Sequence, residues 1–114
     1  MGTVTFGVSS PEKADERVKA AFRGEPQGAR IDFPSVESLF SVMTSARWEL
    51  VRRMAGAGAL TVEELARRLE RDPDEVYADV RDLLSCGVLF STEDRRIIFP
   101  FRSVHIDVTL EAAA

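Results

Sequence analysis

The chain has 114 residues, enough for one domain with a modest core. With 45% hydrophobic and 30% charged residues it has the composition of a folded globular domain, which excludes a disordered chain. A net charge of −4 predicts weak non-specific affinity for nucleic acid, although only the field at the contact surface decides binding. Apolar runs are far short of a membrane span, and no signal-peptide pattern opens the chain. The one cysteine, Cys86, cannot form an intrachain disulfide, so a reducing, cytoplasmic setting is expected. Cys86 ends an apolar helix face and reads as a small buried hydrophobe.

Thr3 to Val8 alternates, with Val4, Phe6 and Val8 on one side, and predicts a half-buried strand. Ser10 and Pro11 open a helix whose apolar face is Ala14, Val18, Ala21 and Phe22, closed by Gly24. Glu25 to Gly28 reads as a turn. Ala29, Ile31 and Phe33 alternate as a second strand, stopped by Pro34. Residues 1–34 thus form a strand–helix–strand arm, expected to dimerise or to bind a partner.

Ser35 to Met43 predicts a short helix, and Thr44 caps another that runs to about Ala55. Trp48 and Phe40 fall at helical spacing among apolar residues, so core packing is their expected role. The run Ala55-Gly-Ala-Gly-Ala59 is a loop. Thr61 with Glu64, and Asp72-Pro73 with Glu75, each form a capping-box pattern. They start two short amphipathic helices, with stripes Val62, Leu65, Ala66, Leu69 and Val76, Val80, Leu83, Leu84, and Gly87 ends the second. Two capped helices joined by a tight turn read as a helix-turn-helix. Val88 to Ser91, a turn at Thr92-Glu93-Asp94, and Arg95 to Phe99 form a hairpin. Three helices followed by such a hairpin predict a winged helix over residues 35–100. Val104 to Leu110 alternates as a last strand within residues 101–114, and the terminal alanines are expected to fray. The fold class is therefore α+β: a winged helix-turn-helix with an N-terminal arm and a C-terminal strand completing a small sheet. The helix at 11–23 is expected to cover one face of that sheet. Open sheet edges favour pairing with a second copy, so a homodimer is expected.

In a helix-turn-helix the exposed N-terminal part of the second helix meets base edges. Here that face carries Asp74, Glu75, Tyr77, Ala78, Arg81 and Asp82. Arg81 suits a bidentate contact to guanine, Tyr77 a phosphate or thymine methyl, and Arg71 a phosphate. Arg95 and Arg96, just beyond the hairpin tip, suit a minor groove, or form an ordinary charged hairpin end with Glu93 and Asp94 as local partners. Arg67 and Arg68 sit on the outer face of the first helix, as backbone contacts or as solvated surface. The acidic members of the set have their own reading, as partners of the helix dipole. Residues 35–100 hold nine basic and twelve acidic groups. That balance keeps a second reading open, a winged-helix protein-interaction module that does not bind DNA. His105 is the only histidine, and without further His or Cys it gives no metal site and no nucleophilic constellation. No phosphate-binding glycine loop is present. No enzyme, metal or cofactor is expected.

Over residues 30 onward the chain resembles a group of short bacterial and archaeal winged-helix proteins regarded as transcriptional regulators, related to MarR-type regulators and in some cases antitoxin-like. The resemblance is carried by Phe33, Ser35, Glu37-Ser38-Leu39, Leu50 and Thr61-Val62-Glu63-Glu64-Leu65-Ala66-Arg67. It continues through Arg71-Asp72, Val76, Asp79-Val80, Leu83, Gly87-Val88-Leu89, Pro100 and Val104-His105-Ile106-Asp107-Val108. Pro100-Phe101-Arg102-Ser103 departs from an acidic turn usual in that group. The resemblance implies a sequence-specific double-stranded DNA-binding regulator, a repressor acting by occlusion, autoregulatory or antitoxin-like, with a toxin or other protein as a further partner.

Overall fold

The computed structural model describes residues 2–9, 11–24 and 28–113. Ten elements follow in order. They are β1 (Thr3–Val8), α1 (Pro11–Phe22), β2 (Arg30–Phe33), α2 (Val36–Val42), α3 (Ser45–Met54), α4 (Val62–Leu69), α5 (Pro73–Ser85), β3 (Phe90–Ser91), β4 (Ile97–Ile98) and β5 (Ser103–Asp107). The result is a small mixed α/β fold. One sheet has the order β2-β1-β5 and the other is the hairpin β3-β4.

The three-stranded sheet is wholly parallel, with β1 in the centre. Register places Phe6 beside Ile31 and Ile106, and Val4 beside Val104. Strand alternation therefore gathers Val4, Phe6, Ile31, Phe33, Val104 and Ile106 on one face. That face joins the helical part in a single core, in which Val4, Phe6, Phe33, Leu39, Leu50, Met54, Leu65, Val76, Leu83, Val88 and Phe99 are all buried. Phe6 is its centre. Its ring lies 6.0 Å from Phe33, 5.4 Å from Trp48 and 6.5 Å from Phe99, drawing on β2, α3 and the segment after β4. Residues from 1–34, 35–100 and 101–114 thus share one core.

The opposite sheet face is polar. Thr3, Thr5 and Gly7 alternate with Val4, Phe6 and Val8 along β1, and the in-register neighbours are Arg30 and Asp32 on β2 and Ser103, His105 and Asp107 on β5. Arg30 donates to Asp32 at 2.9 Å and lies over Gly7, where an added Cβ would stand 2.5 Å from its Nη2. Glycine at this position leaves room for the guanidinium. The hydrogen bond to Asp32 raises the Arg30 pKa; burial opposes it, and Asp32 and Asp107 add electrostatic support.

α1 does not cover the sheet through its apolar stripe as expected. Val18 is 52% and Phe22 86% exposed, and Ala21 is also exposed. A polar sheet face offers those side chains no apolar surface. The helix is held instead by Arg17, which donates to Ser9 Oγ at 3.0 Å and to Asp32 at 3.2 Å. Ser10, the expected cap, the turn residues Glu25 to Gln27, and Ala114 lie outside the described residues, as does the side chain of Ala14.

Local chemistry explains the other helices. The Ser35 and Thr44 side chains accept from the N–H groups of Ser38 and Arg47. The Thr61–Glu64 capping box forms in both directions, each bond 3.1 Å long. The backbone and hydroxyl of Thr61 hold the Glu64 carboxyl below the usual carboxylate range. The second box does not form: Asp72 accepts from Asp74 N at 2.9 Å, and Pro73 takes the first helical position. Gly87 at φ 82° follows α5 as expected. Phe40 points outward at 58% exposure, and Cys86 is exposed, accepting no burial from the short turn after α5. The last strand stops at Asp107, whose pairing with Gly7 is the last with β1, rather than running to Leu110. The hairpin strands are two residues each, and a reciprocal backbone pair between Leu60 and Ile97, 2.9 and 2.8 Å, extends that sheet toward α4.

Candidate nucleic-acid interface

α4 and α5 are joined by residues 70–72. Glu70 adopts φ 54°, a left-handed conformation that turns the chain without glycine. The Arg71 N–H returns to Ala66 O at 3.1 Å, closing α4. The apolar stripes of both helices face the core through Leu65, Ala66, Val76, Val80 and Leu83. The outer face of α5 is left to Asp74, Glu75, Tyr77, Arg81 and Asp82, all exposed, while Ala78 is half-buried.

Between that face and the hairpin runs a groove of about 210 Å³, lined by Val62, Tyr77, Val80, Arg81, Leu84, Ser91, Arg95, Arg96 and Ile97. Four of the seven residues expected to contact DNA meet here: Tyr77, Arg81, Arg95 and Arg96. Arg81 is 68% exposed at its side chain, and its ion pair among the described residues is a long one, 4.0 Å to Asp82. Arg95 makes no ion pair among the described residues. Arg96 is held by Asp94 at 3.3 Å. The hairpin turn is internally bonded, Thr92 N to Arg96 O at 2.8 Å and Arg96 N to Thr92 Oγ1 at 3.1 Å. The Thr92 hydroxyl also donates to Asp94, which lowers that carboxyl's pKa.

Arg95 itself has φ 63°. Hairpins with this bonding place glycine at the left-handed position. An arginine there costs roughly 1–2 kcal/mol of backbone strain.

The other three residues lie elsewhere. Arg67 and Arg68 are exposed on α4 and do not line the groove. Arg71 turns inward. Its Nη2 bonds Asp79 at 3.0 Å and reaches Glu75 at 4.0 Å, and its Nη1 is buried with no hydrogen-bond partner among the described residues. Asp79 is shared with Arg47 of α3 at 3.1 Å, and Arg47 bonds Asp82 at 2.6 Å and Val42 O at 3.0 Å. Burial works against the Arg47 charge, but the bonds from Asp79 and Asp82 outweigh it and raise its pKa. Arg47 is absent from the sequence-based set, because it stands 32 residues from Asp79 and no periodicity links them. Its effect on the site is electrostatic: together with Arg71 it neutralises two of the acids on α5, leaving Arg81 less opposed.

Among the described residues no group of three or more His, Cys, Asp or Glu side chains is placed to hold a metal ion. None of the described helices is long and apolar enough to cross a membrane.

Fold and site together define a small mixed α/β protein that presents a capped helix pair beside a hairpin. The family model HVO_A0114 matches residues 42–106, from the end of α2 into β5, more than half of the chain. The chain belongs to the HVO_A0114 family. No curated protein and no solved structure matches it.

Proposed function

We propose that α3, α4, α5 and the β3–β4 hairpin form a winged helix-turn-helix that binds double-stranded DNA, and that the protein is a transcriptional regulator that represses by occluding its operator. The observation that carries this reading is the groove between α5 and the hairpin. It brings Tyr77, Arg81, Arg95 and Arg96 together from positions up to nineteen residues apart, with Arg95 in no ion pair among the described residues and Arg81 only in a long one, 4.0 Å to Asp82. In this role Arg81 reads a base edge in the major groove, Tyr77 supports it, and Arg95 and Arg96 reach the adjacent minor groove or its phosphates. Arg71 is a structural clamp for α5 in this scheme and leaves the phosphates to other residues.

The test is fluorescence anisotropy with DNA from upstream of the protein's own gene, against scrambled competitor at two salt concentrations. Specific binding that weakens steeply with salt is expected. Arg81→Ala should weaken it by about 1–3 kcal/mol, the worth of a good bidentate pair. Binding that scrambled DNA abolishes equally refutes sequence-specific recognition.

One observation favours a second reading. Asp72, Asp74 and Glu75 crowd the N-terminal end of α5, the end that a helix-turn-helix brings to the bases. Carboxylates repel phosphates, so this end also suits a protein partner with a basic surface. Absence of any DNA binding, with capture of a protein through α5, would establish that interaction module.

A further inference from the structure

The parallel sheet ends in an edge that has not been used. β5 pairs with β1 on one side only, and among the described residues its other side meets no strand. Parallel sheets are normally covered and extended, and an open edge invites another strand. β5 lacks the usual protections: it has no proline and no lysine, and it is five residues long. Ile106 is 50% and Leu110 71% exposed beside it. A groove of about 510 Å³ is lined by Val104 and Ile106 together with Trp48, Val51, Arg52, Ala55, Arg102 and Ser103.

The strand is self-complementary. Around Ile106 the order is Val104, His105, Ile106, Asp107, Val108. An antiparallel pair with Ile106 on a two-fold axis sets Ile106 opposite Ile106, Val104 opposite Val108, and His105 opposite Asp107, twice. The imidazole and carboxylate lie on the polar face, and the apolar pairs lie over the groove against α3. We propose that a second copy of this chain docks along β5 in this register, making a continuous six-stranded sheet. In that sheet Val108 to Leu110, irregular here beyond the last β1–β5 pair Gly7–Asp107, continue the strand against Arg102 to Val104 of the other copy. The β2 edge has a similar pattern in Arg30-Ile31-Asp32, but there the charges are spent internally. Arg30 and Asp32 bond each other at 2.9 Å, and Arg17 takes Asp32 at 3.2 Å. Pro34 also ends that strand after four residues.

This interface is separate from the α5 groove, so its test needs no DNA. Sedimentation equilibrium on the full chain at micromolar concentration should give twice the chain mass. His105→Glu places like charges opposite Asp107 at both ends of the pair and should weaken the dimer about tenfold or more, whereas His105→Lys should keep it. His105 is exposed, and Asp107 is left intact because it also faces Arg30, so both variants keep the fold, which circular dichroism checks. In a Cys86→Ser background, Ile106→Cys should cross-link to itself with a short bis-maleimide. A monomer, equal dimer affinity for His105→Glu and His105→Lys, or cross-linking through Ile31→Cys in place of Ile106→Cys would each overturn the proposal.

Discussion

Replacing Arg95 by glycine should move stability and DNA affinity in opposite directions. At φ 63° the backbone of residue 95 sits where an L side chain costs roughly 1–2 kcal/mol and glycine costs nothing. Glycine also frees the unfolded chain, which returns about 0.5–1 kcal/mol of that gain. Arg95 has no ion pair among the described residues and an exposed side chain, so its removal takes nothing else from the fold. The net expectation is a gain of about 0.5–1 kcal/mol, read by urea denaturation as a higher midpoint at unchanged slope. If the hairpin meets DNA as proposed, the same substitution removes one cationic contact. The slope of log affinity against log salt should flatten by about 0.9, with weaker binding at every salt concentration. A variant less stable than the parent would show that the hairpin does not strain residue 95. A variant that gains stability and binds DNA with an unchanged slope would show that the hairpin tip stands clear of the phosphates.

Asp79→Ala should destabilise the fold by about 2–3 kcal/mol. It leaves Arg71 with a distant Glu75 and strips one of three bonds from Arg47, at side chains only 16–26% exposed; a loss under about 1 kcal/mol in urea would refute the clamp. Phe6→Ala should cost about 3–5 kcal/mol, because its ring ties the sheet to α3 and to Phe99, and calorimetry should show one transition shifted as a whole. Two separate transitions would mean that sheet and helices do not share a core. Because the folded pKa of Glu64 is depressed, its stabilisation is full above the ordinary glutamate value of about 4.3 and is lost as the pH falls through the folded one. The stability gap between the parent and Glu64→Gln should therefore close on acidification, and a gap that widens would contradict the capping box.

Much of the fold was legible in the residues. Thr61 with Glu64, Pro73, and Gly87 act within a few residues of themselves, so their roles as caps follow from local hydrogen bonding alone. The alternation of Thr3–Val8 and the apolar stripes of α4 and α5 likewise state which side must be buried. The grouping of three distant strands into one sheet followed from their unpaired apolar faces, and the structure places β1 at its centre. The expectation for α1 failed for a tertiary reason. A stripe of Val18 and Phe22 requires an apolar surface to meet, and the face it lies over carries Arg30, Asp32 and Thr5.

The site divides in the same way. Tyr77 and Arg81 could be read from helical phase, since positions one turn apart share a face. Arg71 has the same local credentials for a phosphate, yet it points inward, because Asp79 and a half-buried pocket beside α3 compete for it more strongly than solvent does. That competition depends on Arg47, brought in from another helix. What the sequence determines by itself is which segments form helices and strands and which of their faces seek burial, because those choices are made by neighbours along the chain. What only the tertiary structure decides is which charges are spent on one another and which are left outward. Ion pairs form between residues that the chain separates by tens of positions, and only the packing of the core sets those distances.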